Sequence, residues 1–209
     1  MKGEIINSLN LRYSVKIFDK NLTISEKDWS IIEDALILTP SSFGLEPWKF
    51  LVITNKELKK ELKAYSFNQA QIEDCSHLLV LCAKKYIDNE YIKKCMQNIA
   101  KVRNVDISTL NQYKDVISSY MMQEKDHLNY ATNQTFIALG NILTVAAMLK
   151  IDACPIGGFI SREYDKILKI PDGFTSSVVC AFGYRSEEDK YARLAKVRQS
   201  KKELIIKYN

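Results

Sequence analysis

The chain has 209 residues, of which 46% are hydrophobic, and a formal net charge of +5. This is enough for one sizeable core, so we predict a single domain over residues 1–209. Met1–Leu11 holds no apolar run followed by small residues, which argues against a secretory signal and favours a cytoplasmic location without a membrane partner.

The cysteines are scattered, without Cys-x-x-Cys spacing, and the only histidines are His77 and His127. This pattern predicts buried free thiols and no metal site. Cys154 adjoins a glycine-rich loop, but a small core residue is the favoured interpretation. The five cysteines are Cys75, Cys82, Cys95, Cys154 and Cys180.

The amino-terminal part begins with a predicted short helix over residues 2–11. If residues 12–16 (RYSVK) are extended, Arg12, Ser14 and Lys16 point to one face. Two cations and a hydroxyl on one face suit a phosphate. The alternative is a half-exposed strand edge.

The middle of the chain alternates helices with apolar runs. Ser25 is predicted to begin a helix that ends near Leu38, and Asn55 to begin another. Residues 40–48 have two prolines, a glycine and two serines, which is typical of a structured loop. The predicted strands, apolar on both faces and therefore buried, are 49–54, 78–83 and 176–182.

Residues 129–149 predict one long helix, and its nearly continuous apolar composition indicates burial on every side. A short strand, 151–154, and a loop with paired glycines, 155–159, follow. Paired glycines permit positive φ or the close approach of a flat ligand. The alternative is an ordinary strand-to-helix turn.

The carboxy-terminal part begins with a short helix predicted from Ser161. Residues 203–208 are apolar enough to pair as an edge strand. Between Asp189 and Asn209 the chain has seven basic and two acidic residues. A basic tail suits nucleic acid, a small phosphorylated ligand or plain solubility.

The layout predicts an α+β fold with a central sheet sandwiched by helices. The sequence has no glycine-rich nucleotide motif, no nucleophile elbow and no zinc-protease motif. With two histidines, acid–base catalysis by histidine is disfavoured. If the chain is an enzyme, a bound cofactor is expected to provide the chemistry.

Six motifs in order resemble the FMN-dependent NAD(P)H nitroreductase family, its oxygen-insensitive branch. Residues 12–16 resemble the RxSxK phosphate motif, and residues 40–48 the PSSxNxQPW loop. The other four are Phe67-Asn68, Gly140-Asn141, the loop 155–159 and Lys196-Val197-Arg198. Together they cover nearly the whole chain.

The resemblance implies a nitroreductase-like fold within an intertwined homodimer, with one FMN at each of two sites built from both chains. Asn68 would bind the pyrimidine side of the ring and the Gly158 N–H would face N5. Pro155 and Ile156 would pack on one ring face. The implied phosphate ligands are Arg12, Ser14, Lys16, Lys196 and Arg198. The partner chain would supply Pro40, Ser41, Ser42 and Gln134. Tyr13, Gly44 and Gly157 complete the implied FMN-binding set.

The chain departs from the family pattern at the ring edge. Gly44 replaces the usual asparagine of the PSS loop, Glu46 its usual glutamine, and Gly157 a frequent glutamate. These differences affect expected contacts near the nicotinamide and leave the phosphate motif intact.

The implied reaction is ping-pong: NADH or NADPH passes hydride to flavin N5, and a nitroaromatic or quinone-type acceptor then takes two electrons. Lys16 and Gly158 are the expected catalytic residues, with Lys16 near the pyrimidine end stabilising the charge of the reduced ring. The alternatives are another flavin activity on the same fold, such as flavin or pteridine reduction, dehydrogenation or dehalogenation, a non-catalytic FMN-binding protein, and a nucleic-acid-binding protein.

Overall fold

The computed structural model describes residues 2–208, which contain nine α-helices and four β-strands. Short 3₁₀ turns lie at Ser42–Gly44, Ile107–Leu110 and Lys190–Arg193. The helices are α1 (Lys2–Leu11), α2 (Glu26–Ile37), α3 (Lys56–Ala64), α4 (Ala70–Asp74), α5 (Asn89–Arg103), α6 (Asn111–Gln123), α7 (His127–Met148), α8 (Ser161–Ile167) and α9 (Lys201–Leu204). The strands are β1 (Trp48–Ile53), β2 (His77–Lys84), β3 (Asp152–Ile156) and β4 (Phe174–Gly183).

The four strands form one antiparallel sheet in the order β1-β2-β4-β3. The central strands β2 and β4 are buried almost throughout, as their apolar runs predict. β1 differs from the prediction, because Lys49 is exposed and Val52 is 40% exposed. As an edge strand it has a neighbour on one side only.

Helices cover both faces of the sheet, which confirms the predicted sandwich. On one face α2 and α7 pack on Leu79, Leu81 and Phe182. On the other, α3, α4 and α8 pack on residues of the same strands that point the opposite way, such as Leu78 and Val80. A smaller cluster joins α5 and α6 to the loop after α2.

The long helix α7 crosses the sheet from end to end. Its 22 residues make a rod of about 33 Å. The predicted burial on every side is wrong for the single chain. Phe136 is 50% exposed, Ile137 46% and Met148 53%, so this helix presents an apolar stripe that its own chain does not cover.

Three local predictions also need correction. Residues 12–16 form no strand of the sheet, and Ser14 makes only an isolated parallel bridge with Ala153. Ser161 is the first helical residue of α8 and does not cap it. Its hydroxyl bonds to the Ser176 carbonyl instead. Residues 203–208 form the end of α9 and irregular chain instead of the predicted edge strand.

The predicted helix starts and the burial of most cysteines are confirmed. Ser25 and Asn55 accept backbone N–H groups at the starts of α2 and α3. All five cysteines are free, and four of them are buried. Within residues 2–208, no helix is both long and apolar enough to cross a membrane.

Candidate functional site

Residues 12–18 are held in place by one distant carboxylate, that of Asp189, which is 1% exposed. Its Oδ2 accepts the backbone N–H groups of Lys16 at 2.8 Å and Ile17 at 3.2 Å, and the Tyr13 hydroxyl at 2.9 Å. Its Oδ1 accepts the N–H of Tyr191 at 3.0 Å. Burial raises the pKa of Asp189, but these hydrogen bonds together lower it by more than burial raises it. The net pKa therefore lies below its usual value.

An ion pair between Arg185 and Asp152 supports the same segment. The Arg185 guanidinium binds Asp152 through Nε at 2.9 Å and through Nη2 at 2.5 Å, and its carbon lies 4.7 Å from the centre of the Tyr13 ring. Asp152 begins β3 and Arg185 follows β4, so the pair joins two neighbouring strands. Arg185 therefore already has a carboxylate partner. Tyr13 contacts Arg185 through its ring and Asp189 through its hydroxyl.

Tyr13→Phe is expected to lower the free energy of unfolding by about 1 kcal/mol, because it deletes one hydrogen bond to Asp189 and keeps the ring beneath Arg185. Urea denaturation at neutral pH measures the change. Tyr208→Phe, at a 92% exposed residue, is the control and should have no effect. A Tyr13→Phe protein as stable as the original would show that this bond contributes nothing net.

Besides Arg185, which is paired with Asp152, three cations line a cavity of 470 Å³ beside this segment: Arg12, Lys196 and Arg198, with Ser14 also in the lining. Lys196 donates to the carbonyls of Leu9, at 2.6 Å, and Arg12. In the described part of the chain, no carboxylate forms an ion pair with any of the three.

The charge of this cluster is therefore uncompensated. Burial lowers the pKa of Lys196, and repulsion from Arg12 and Arg198 lowers it further. Like charges gathered around an open cavity, with a hydroxyl among them, match the donors that a phosphate dianion requires. These residues fit the phosphate of FMN. The structure thus brings together four of the five expected phosphate ligands.

The fifth, Lys16, is exposed and lies outside the lining of this cavity. Burial raises the pKa of the Cys154 thiol, and Lys16 opposes this more strongly than Arg12 does. Because the bridge between Ser14 and Ala153 is parallel, the chain from Ser14 to Lys16 runs in the same direction as β3, towards the glycine loop. Cys154 is 3% exposed and held protonated, which agrees with its interpretation as a core residue.

The glycine loop follows β3 directly. Neither Gly157 nor Gly158 has a positive φ, so the left-handed backbone that paired glycines permit is not used here. A Cβ on Gly157 would meet no atom within 4 Å. Pro155 is half-buried and accessible, whereas Ile156 is 3% exposed. The expected packing of the Ile156 side chain on a ring is not available, because alternation along β3 turns it into the core.

Asn68 lies beside this loop, as the motifs predict. Phe67 and Asn68 both have left-handed backbones, with φ of 53° and 57°. The Gln69 side chain donates to the Gly158 carbonyl at 2.9 Å. A Cβ on Gly158 would lie 3.4 Å from the Phe67 ring. The turn that carries Asn68 is therefore in direct contact with the glycine loop.

The loop at residues 40–47 and α7 form a second group. Gln134 is 6% exposed and its Oε1 accepts the Ser42 N–H at 2.9 Å. Gly44 has a φ of +61° and is exposed, while Pro40, Ser41 and Ser42 lie at the surface or partly so. Gln134 thus holds the Ser42 loop of its own chain and has little surface left for a ligand.

The two groups lie far apart within one chain. Trp48, directly after the loop, is level with Thr175 at the start of β4, whereas Ser14 is level with Phe182 near its end. Seven positions on β4 correspond to roughly 23 Å. One chain therefore does not place both groups around the same small ligand.

Sequence reasoning missed the supports of the site: Asp189, the pair Asp152–Arg185, and Gln69. Asp189 was visible only as an acidic residue opening a basic tail. Nothing in the linear pattern shows that it bonds to residues more than 170 positions away. Among residues 2–208 the structure shows no group of three or more His, Cys, Asp or Glu that could hold a metal ion.

Comparisons with known proteins agree with this architecture. Residues 9–184 match the model of the Nitroreductase family. A protein of Staphylococcus saprophyticus, named as a candidate NAD(P)H nitroreductase, is 37% identical over 217 aligned positions, covering 98% of this chain and 97% of that protein.

Solved structures confirm the predicted fold. A nitroreductase-named protein of Bacillus subtilis superposes with a TM-score of 0.88 at 18% identity, covering 100% of both chains. Another, from Exiguobacterium sibiricum and solved in complex with FMN, superposes with a TM-score of 0.80 at 20% identity, covering 98% of this chain and 97% of that one.

Proposed function

We propose that this chain, which belongs to the nitroreductase family, is an FMN-dependent oxidoreductase that uses NADH or NADPH to reduce a nitroaromatic or quinone-type acceptor. The observation that carries the proposal is the cavity lined by Arg12, Lys196 and Arg198, whose positive charges have no ion-pair partner among the described residues. The name of the staphylococcal relative supports the reductant, and the FMN complex of the Exiguobacterium protein supports the cofactor.

When bound, FMN supplies the centre that accepts a hydride and gives up two electrons. Arg12, Ser14, Lys196 and Arg198 bind its phosphate. Lys16 places a cation between the phosphate cavity and the glycine loop, at the ring end of the site. A cation there favours negative charge on a bound ring.

Gly158 and Asn68 bind the ring edge. The Gly158 N–H acts as a fixed hydrogen-bond donor. Such a backbone donor stabilises a transition state that develops negative charge by about 3 kcal/mol. Gly157 leaves room for a flat ring to lie against the backbone. Asn68 contributes amide groups from the adjacent turn.

The proposal includes a homodimer. Trp48, which follows the 40–47 loop, and Ser14 are separated by roughly 23 Å along the strand direction of their own chain, which supports the supply of the loop residues by a second chain at a shared site. The apolar stripe of α7, with Phe136, Ile137 and Met148, is available for that contact. We also place the protein in the cytoplasm, because five free cysteines suit a reducing compartment.

A flat acceptor suits the surface beside the 40–47 loop. Phe43 lies 5.2 Å from Tyr120 and 6.5 Å from Tyr113, measured between ring centres. Tyr113 is 39% exposed and Tyr120 45%. Partly exposed aromatic rings at these separations stack with other aromatic systems, which supports nitroaromatics and quinones as the acceptor class.

The visible spectrum of the purified protein, followed by anaerobic addition of NADH or NADPH, tests the proposal. We expect a flavin spectrum that the nicotinamide bleaches and that a nitroaromatic or quinone restores. A flavin spectrum that neither nicotinamide bleaches would indicate flavin storage. A folded dimer that stays colourless after FMN is added would contradict the phosphate assignment. Steeply salt-dependent binding of oligonucleotides would then favour a nucleic-acid partner for the basic tail.

A further inference from the structure

The Gln69 side chain joins the glycine loop to the core. Its Nε2 donates to the Gly158 carbonyl at 2.9 Å and to the Ser66 carbonyl at 3.0 Å. Both amide hydrogens are therefore used, one on each side. Gln69 is half-buried; its bond to Ser66 is partly buried and its bond to Gly158 is exposed.

The backbone of the glycine loop makes few other hydrogen bonds, although the neighbouring Phe159 ring packs 4.8 Å from that of Tyr164. β3 ends at Ile156, and among the backbone bonds of the described residues the next donor after the strand is the Ile160 N–H, which bonds to the Tyr65 carbonyl at 2.8 Å. Gly157 has no atom within 4 Å of its Cβ position. Consecutive glycines have the greatest backbone freedom to lose, so the position of the Gly158 peptide depends on a side chain from elsewhere.

The far end of this bridge is rigid. Ser66 and Tyr164 are both fully buried, and their hydroxyls lie 2.6 Å apart. The Ser66 hydroxyl also donates to the Leu62 carbonyl at 2.9 Å. Ser66 is thus fixed to α3 and α8 at once, and the bridge transmits that rigidity to Gly158.

The Gln69 bridge also sets the distance between Asn68 and Gly158. Asn68 directly precedes Gln69 in the turn whose two left-handed residues, Phe67 and Asn68, rule out a regular helix there. The Phe67 ring and the Gln69 Nε2 lie 3.4 and 3.7 Å from the Cβ position of Gly158. Gly158 is therefore in contact with a ring and an amide that belong to the same turn as Asn68.

We infer that Gln69 is a positioning residue for the reaction, whose bridge to Gly158 holds the Gly158 peptide and Asn68 at one fixed separation against the flavin ring. This inference rests on the proposed function. Its physical basis is that reactive groups must be held within a fraction of an ångström of the productive geometry.

Gln69→Glu tests it, because the carboxylate keeps the shape, loses both N–H donors and faces two carbonyls. We expect hydride transfer from NAD(P)H, in anaerobic single-turnover experiments on the FMN-loaded protein, to slow by roughly tenfold or more. The affinity for FMN should change by less than about threefold, because the phosphate ligands are untouched. In the protein without FMN, hydrogen exchange over residues 157–160 should become faster.

Tyr164→Phe is the matched control for general destabilisation. It removes the hydroxyl contact with Ser66 and keeps both bonds of Gln69. Ser66 keeps its hydrogen bond to the Leu62 carbonyl in this variant, so the far end of the bridge stays attached to α3. We therefore expect Tyr164→Phe to lower stability and to leave hydride transfer and loop exchange near their original values. Equal slowing of hydride transfer in both variants would show that Gln69 acts only through stability, and would overturn the inference.

Two further results would overturn it: unchanged hydride transfer in Gln69→Glu, or a loss of FMN affinity with an unchanged rate at saturation. The proposed function fails separately. If the original protein bound FMN but were not reduced by NADH or NADPH, that proposal would fall, whatever the exchange experiment showed. If the original were reduced and Gln69→Glu equally so, only the present inference would fall.

Discussion

Arg198→Ala is expected to weaken FMN binding by roughly ten- to a hundredfold and to leave riboflavin binding unchanged. One charge-assisted hydrogen bond to a phosphate is worth about 1.5–3 kcal/mol, which gives this range. Riboflavin has no phosphate, so the loss of Arg198 from the cavity should not affect it. Titration of the cofactor-free protein with each flavin, followed by flavin fluorescence, measures both affinities.

Arg193→Ala is the control for this experiment. It makes the same change of charge in the same tail segment, at an exposed residue outside the cavity lining. We expect FMN affinity to stay near its original value. If Arg193→Ala weakened FMN binding as much as Arg198→Ala, the basic tail would act through its overall charge. If Arg198→Ala weakened riboflavin binding equally, the cavity would not be the phosphate site.

Much of the fold is predictable because it depends on local patterns. Ser25 and Asn55 begin helices where a side-chain oxygen can accept an unpaired N–H group. The runs in β2 and β4 are apolar on both faces because helices cover both sides of the sheet. Where a strand lies at the edge, as β1 does, the same apolar run gives no warning of its exposure.

The exposed stripe of α7 shows the limit of composition. Its apolar sequence indicates burial, but it does not say whether the covering surface belongs to the same chain. In the single chain Phe136 and Ile137 stay half-exposed. The resemblance to a dimeric family suggested an interface there, which the periodicity of the helix alone does not.

The residues expected to bind the phosphate can be predicted from the sequence, whereas the residues that hold them in position cannot. Arg12, Lys196 and Arg198 belong to short motifs, and the structure gathers them around one cavity. Asp189 and Gln69 belong to no motif and act through contacts made only after folding. A side chain that bonds to a backbone group far along the chain has no sequence pattern to reveal it.

Asp189→Asn is expected to lower the free energy of unfolding by roughly 2–4 kcal/mol at neutral pH. The carboxylate accepts four hydrogen bonds while 1% exposed, and an amide can accept on only one of its two atoms. Its NH₂ group would face N–H donors instead. The loss should extend to FMN affinity, because the backbone that presents Arg12 and Ser14 is adjacent to these bonds.

The pH dependence distinguishes the charge from the shape of Asp189. Its pKa in the folded protein lies below the ordinary value of 3.8. A carboxyl group with a depressed pKa stabilises the fold in full when the pH is above the ordinary pKa. That stabilisation is lost as the pH falls through the lower pKa of the folded protein. The difference between the original protein and Asp189→Asn should therefore be large at neutral pH and shrink as the pH falls below about 4.

Urea denaturation at neutral pH and at about pH 3 measures both differences, with Glu188→Gln as the control. Glu188 is the exposed neighbour of Asp189, and its substitution makes the same change of net charge. We expect Glu188→Gln to stay within about 0.5 kcal/mol of the original at both pH values. A difference for Asp189→Asn that stayed constant between the two would mean that the geometry of the four bonds, rather than the carboxylate charge, stabilises the segment that carries Arg12 and Ser14.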